Sequence, residues 1–376
     1  MNPLVAVNRA SRHFWRTRGR IVEPLATATH RHRRIAAVLD EFTEASFAPD
    51  VELLSLDRRT WPIEIALFQP ELLFVESAWR GHRNSWRGRV ASYPSGAGKK
   101  SQHRSLRALV RYCRVAHIPS VFWNKEDPVH YGRFIAAAGL FDAVMTTATE
   151  KEADYRRDCD LAESRTATLS FAAQPALYSP LPNGHSLANR DSRVLFAGSY
   201  GEAHFPHRRK SLEYLLDGAL AAAAVVDSEV VVFDRNQAAR DPDKCFPARF
   251  ASSIRGGCSY FELAGHYQRA AVGLNVNSVT DSSTMYSRRV VEMLACGLPV
   301  VSTPSVGLSR EFAGIVSIVE NQRAAQHAIT RLLTDSVYWR EISRRGIEIV
   351  AKNHTMEARI DQVFKMAECI QAEPRQ

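Results

Sequence analysis

Short apolar runs alternate with stretches of helical spacing along most of the chain. In the first half, Arg34–Leu39, Val51–Leu56, Leu72–Val75, Ser120–Trp123 and Ala143–Thr147 read as strands. Between them, a segment containing Ile63–Phe68 and the segments Ser105–Ala116 and Tyr131–Ala138 repeat their apolar residues at helical spacing. In the second half the strands are Arg193–Phe196, Glu229–Phe233, the run Val272, Leu274 and Val276, and Pro299–Ser302. The helices are Leu212–Ala224, Ser259–Arg269, Arg288–Cys296, Gln322–Leu333, Tyr338–Ala351 and an amphipathic Thr355–Ile370. Ser259 and Glu262 form a capping-box pattern, and Gly297 stops the helix before it. Strands alternating with crossover helices predict an α/β fold with parallel sheets.

A stretch rich in Pro, Asn and Ser, Gln174–Asn189, interrupts this alternation. It predicts a basic extension at 1–33, a first Rossmann-like domain at 34–180, a linker at 181–190 and a second Rossmann-like domain at 191–350. The last segment, 351–376, is expected to cross back to the first domain.

Composition narrows the function only a little. With 376 residues, 45% hydrophobic and 24% charged, the chain can bury two cores. No apolar run reaches membrane-helix length and the start lacks a signal-peptide core, so a cytoplasmic protein is expected. The six cysteines are scattered and read as reduced structural thiols. The net charge of +9 admits nucleic acid, anionic lipid or a phosphorylated ligand, and no nucleic-acid motif accompanies it. Arg9, Arg12, Arg16, Arg18 and Arg20 gather near the start, where His13-Phe14-Trp15-Arg16 could touch an anionic membrane; a plain solvated tail is the competing reading. Ser95–Lys100 resembles a phosphate loop but has Tyr93 where the pattern needs glycine.

The polar strand ends carry the candidate chemistry, since α/β sheets bind ligands at their carboxyl edge. In the first half, Asp40, Glu76, Glu126 and Asp127 bring carboxylates to that edge, with His130 nearby and Trp123 as a stacking surface. Each has a structural alternative: Asp40 and Asp127 as helix caps, Glu76 as a partner of Arg80. In the second half, Gly198-Ser199-Tyr200-Gly201 follows a strand and Arg208-Arg209-Lys210 precedes a helix, a pattern suited to a phosphate or to a plain basic loop. Further on, a polar loop from Asn277 leads to Ser287, an N-cap before Arg288 and Arg289. Two arginines at a helix start oppose its dipole, a conflict that a bound anion relieves. Glu292 lies one turn after Arg288, placed either for a ribose diol or for an ordinary Arg–Glu pair.

The run VVEMLACGLPVVST resembles the nucleotide-sugar segment of GT-B glycosyltransferases of group 1. TMYSRRVVEMLACG, with FVESAWRG, FWNKEDPVHY and FAGSY, is similar to the spore-maturation CgeB-like branch, over about Arg34 to Gly314. That family often carries two glutamates separated by seven intervening residues; Glu292 matches the second and Thr284 stands at the first. The resemblance implies two Rossmann-like domains with parallel sheets facing a central cleft, and a hexosyltransferase-type enzyme. It implies a nucleotide sugar, UDP-linked, as co-substrate, held by the second domain with Ser287, Arg288 and Arg209 on the diphosphate and Glu292 on the ribose, and with Arg208 and Arg289 in the same donor-binding set. The acceptor, a hydroxyl of a glycan, lipid-linked glycan or secondary metabolite, would meet the first domain, with Glu126 or Asp127 as base. No cofactor, no metal and no nucleic acid are expected. The rival reading is a nucleotide-sugar-binding protein that has lost transfer, which Thr284 keeps open.

Overall fold

The computed structural model describes residues 21–22, 25–93, 102–182, 186–201, 205–237 and 244–373. The arginine-rich start and the Ser95–Lys100 loop lie outside the described residues. The chain divides into two units, one running to Ser170 and resuming at Met356, the other Phe171–Thr355. The 181–190 stretch expected as a linker thus falls within the second unit.

The first unit is built on β1 (Ile21–Val22), β2 (Arg34–Val38), β3 (Glu52–Ser55), β4 (Leu72–Glu76), β5 (Ser120–Asn124), β6 (Ala143–Thr146) and β7 (Thr166–Thr168). Their order is β1-β3-β2-β4-β5-β6-β7, with β1 antiparallel to β3 and the other pairs parallel. β3, β4, β5 and β6 are buried at every position, as expected of strands covered on both faces, and this is why they read as unbroken apolar runs. The connecting helices are α1 (Glu41–Phe47), α2 (Trp61–Phe68), α3 (Arg104–Val115), α4 (Tyr131–Ala138) and α5 (Glu152–Cys159). The five expected strands are present within two residues of their expected ends; α1, α5, β1 and β7 are additions.

The second unit carries β8 (Asp191–Gly198), β9 (Glu229–Asp234), β10 (Ile254–Arg255), β11 (Ala270–Asn275), β12 (Val300–Ser302) and β13 (Ser317–Ile318), all parallel, in the order β10-β9-β8-β11-β12-β13. Its helices are α6 (Pro206–Val226), α7 (Tyr260–Arg269), α8 (Arg288–Ala295), α9 (Val306–Glu311), α10 (Gln322–Thr334) and α11 (Ser336–Asn353). The capping box of α7 is formed, and Gly297, at φ +69°, turns the chain after α8 in a conformation other residues rarely adopt. Buried Arg190 ties the ends of α7 and α8 together. Its Nη1 donates to Tyr267 O and Ala270 O, and its Nη2 to Cys296 O and Gly297 O, so one guanidinium satisfies carbonyls that both helices leave open.

The last helix, α12 (Met356–Ala372), belongs to the first unit, where Phe364 lies 3.8 Å from the Arg33 guanidinium and Arg359 Nε donates to Ser170 O at 2.8 Å. Among the parallel strands of each sheet the order reverses once, between β2 and β4 and between β8 and β11. Ligand crevices of doubly wound sheets open at such points. Both candidate clusters stand there.

Candidate functional site

The cluster of the first unit is organised by Lys125, which follows β5. Its Nζ lies 2.8 Å from Glu76 Oε1 and 3.6 Å from Asp40 Oδ2. Glu76 is fully buried at the end of β4 and also accepts the Asp40 N–H. Burial raises the Glu76 carboxyl; burial also opposes the charge of Lys125, but Glu76, Asp40 and Glu126 together outweigh it and raise the amine. Glu76 therefore pairs with Lys125, not with Arg80.

Asp40 holds the N-cap position of α1 without a side-chain capping bond. Its carboxylate instead accepts the consecutive backbone N–H groups of Trp79, Arg80 and Gly81, at 3.0, 3.0 and 2.8 Å. Burial opposes its charge, but Lys125 and these three donors prevail and hold the carboxyl below its ordinary range. Lys125, which sequence reasoning did not single out, thereby joins three strand ends and fixes the Ser77–Gly81 loop; its backbone N–H also donates to Ser77 Oγ.

Asp127 is turned inward. It is 0% exposed, and its carboxylate accepts from Asn124 Nδ2, Thr146 Oγ1 and Tyr155 OH. Nor is Asp127-Pro128 a cap and first helical residue, since α4 starts at Tyr131 with His130 at its N-cap position. Trp123 is likewise a core residue, stacked near Phe74, with Nε1 donating to Leu169 O. Solvent reaches Glu126 and His130, whose Oε2 and Nε2 stand 3.9 Å apart. The His130 ring meets half-buried Trp79 edge to face at 5.2 Å. The aromatic surface at this edge is Trp79, where the sequence had pointed to Trp123.

In the second unit, Arg208 and Arg209 stand in the first turn of α6, which begins at Pro206, so the basic triplet lies inside the helix. Both hold the turn after β8. Arg208 Nη1 donates to Tyr200 O at 2.7 Å and Nη2 to Ser199 O at 3.0 Å; Arg209 Nη2 donates to Gly201 O at 2.8 Å and its guanidinium lies 4.9 Å from the Tyr200 ring centre. Arg289 comes in from α8 against Gly198, at whose Cα a β-carbon would stand 3.1 Å from Arg289 Nη2.

These cations face one another. Burial lowers Arg208 to about 10, and Arg289, Arg235 and Arg209 push in the same direction. Arg289 is lowered by burial too, with Arg235 and Arg288 adding to it. Among the described residues, the buried Nη1 of Arg289 has no hydrogen-bond partner.

Ser287 holds the N-cap position of α8 in extended conformation without a side-chain capping bond. Glu292, 3% exposed, receives the Tyr260 hydroxyl at 3.0 Å and Arg288 Nε at 3.2 Å, both on Oε1. Burial raises its carboxyl against Arg288, Tyr260 and Arg289. Asn277 is committed to the fold: its Nδ2 donates to Ser302 Oγ and Thr303 O, its Oδ1 accepts from Asn275, and its N–H reaches Thr303 Oγ1. It clamps the ends of β11 and β12, so both its amide groups are engaged within the fold.

Among the described residues, no group of three His, Cys, Asp or Glu side chains is placed to hold a metal ion, and no helix is long and apolar enough to cross a membrane.

Residues 239–365 match the family model described as "Glycosyl transferase-like". No curated protein matches the chain by sequence. Among solved structures, a sucrose-phosphate synthase from Thermosynechococcus elongatus is similar at 15% identity and TM-score 0.54, covering 91% of this chain and 100% of that one. A glycosyltransferase from Rickettsia africae gives 11% identity and TM-score 0.57, covering 92% and 100%. Anabaena HepE in complex with UDP-glucose gives 12% identity and TM-score 0.55, covering 91% and 100%. The fold is GT-B, with two Rossmann-like parallel sheets.

Proposed function

We propose that this chain is a glycosyltransferase that moves a sugar from a UDP-linked donor to an acceptor hydroxyl, such as that of a glycan, without a metal ion. One observation carries the reading: an unpartnered buried guanidinium nitrogen of Arg289 beside Gly198, among cations that depress one another. A diphosphate supplies the missing charge and acceptors, and the start of α8 adds backbone N–H groups and the positive end of its dipole. The similarity of residues 239–365 to a glycosyl transferase-like model and the UDP-glucose complex of HepE support the same ligand class.

In this reading Arg289 and Arg208 hold the diphosphate, and Arg209 keeps the Gly198–Gly201 turn in place. Charge grows on the diphosphate as the sugar leaves, and the preset guanidinium groups stabilise it, the part a divalent cation plays in other transferases. Glu292, oriented through Oε1 by Tyr260 and Arg288, takes the ribose hydroxyls. Glu126 is the base for the acceptor hydroxyl and His130 is its neighbour. Asp127, enclosed by three donors, is left out of the chemistry.

Release of UDP from a panel of UDP-sugars, with EDTA present and with glycan acceptors added, tests the reading. Acceptor-stimulated release supports it. Binding of UDP-sugars with no release under any condition would leave the nucleotide site and remove the transferase, as the Thr284 departure from the two-glutamate pattern would then explain.

A further inference from the structure

The outer face of α3 is basic on one side and apolar on the other. Its exposed positions are Arg104, Arg107, Ala108, Arg111, Tyr112, Arg114 and Val115, with no acidic residue among them. At 100° per residue the arginines occupy one side of the exposed arc, and Ala108, Tyr112 and Val115 the other. Among the described residues, Arg104, Arg107 and Arg111 make no ion pair, and Arg114 reaches Asp142 at 3.4 Å. Val115 is 76% exposed.

The apolar side borders α2. The Tyr112 ring meets Trp61 at 5.5 Å, and the exposed positions of α2 are Pro62, Ile63 and Ala66, with Ile63 at 61%. A helix facing only water has no need of this division, and three neighbouring arginines without counter-charges, with Arg114 beside them, repel one another. Charge and apolarity set side by side match the headgroup zone of a bilayer, which offers anionic groups beside an apolar boundary. A nucleic acid would use the arginines but leaves the apolar side without a partner.

We propose that the α2–α3 face docks on an anionic lipid surface, with the arginines on headgroup phosphates and Ile63 and Val115 at the acyl boundary.

Co-sedimentation of the full chain with phosphatidylcholine vesicles, alone or mixed with phosphatidylglycerol, tests this. The chain should partition onto the mixed vesicles only, and partitioning should weaken as salt is raised. R107E/R111E should lower partitioning by about tenfold or more, at roughly 1 kcal/mol for each basic residue near the surface. I63S/V115S should lower it several-fold, with the salt dependence kept. All these positions are exposed, and an unchanged thermal melt confirms that the variants fold. If R107E/R111E partitions like the parent, the lipid contact lies elsewhere in the chain and the proposal fails. It fails equally if the parent ignores both vesicle types, or if duplex DNA displaces it fully from the vesicles while I63S/V115S partitions unchanged.

Discussion

The guanidinium of Arg289 lies so close to Gly198 that a β-carbon at Gly198 would stand 3.1 Å from Nη2 and 3.2 Å from Nη1, with Phe196 at 3.0 Å on the same side. The strand end and the helix start are thus fitted to one another through a hydrogen atom. Gly198→Ala should push the guanidinium from its place and weaken UDP binding by about tenfold, equivalent to roughly 1.4 kcal/mol. Calorimetric titration with UDP checks this. Unchanged affinity would mean that Arg289 does not set the nucleotide contact.

In the first unit, Lys125 compensates two carboxylates at once. Lys125→Met should destabilise the fold by about 3 kcal/mol, because it leaves buried Glu76 without its cation. Adding Glu76→Gln should restore part of that loss. Denaturant unfolding of the two variants checks the coupling; purely additive losses would contradict it.

Burial pushes the Asp127 carboxyl up to about 6 from an ordinary 3.8, against the pull of Thr146 and Tyr155. A carboxyl whose folded value is the higher one binds its proton more tightly in the folded state. Its stabilising contribution is whole below about pH 4 and is lost as pH rises through about 6. Two units correspond to about 3 kcal/mol. Asp127→Asn should therefore lose less stability than the parent between those limits. Parallel stability curves in denaturant melts would show that this carboxyl is not the source.

Arg190 supplies four bonds to carbonyls at the ends of α7 and α8. Arg190→Met should lower stability by about 2 to 4 kcal/mol, since several buried acceptors lose their donor together. A thermal melt within a degree of the parent would refute that role.

The strands were legible because burial on both faces leaves an apolar run with little else to read. The same property concealed Trp123: where every strand position is buried, alternation does not say which aromatic faces a crevice. Helix α1 was invisible because two of its three buried residues are Thr43 and Ser46, so its inward face carries no apolar period. Helix α5 buries only Tyr155 and Cys159, and Thr166–Thr168 offers no apolar run at all. At the sites, the chain showed which residues reach the sheet edges but not their partners. Lys125 meets a glutamate 49 positions away, a pairing that the parallel register of β4 and β5 creates and no local pattern records. The pairing of Glu292 with Arg288 was visible in its spacing along one helix; that Tyr260 would share it was not.

In the proposed function the arginines around Gly198 form the diphosphate site. The most direct measurement is calorimetric titration of UDP and of uridine into the parent and into Arg289→Met. The parent should bind UDP far more tightly than uridine, and Arg289→Met should lose most of this difference while still binding uridine as the parent does. Equal UDP affinity in parent and variant would contradict it.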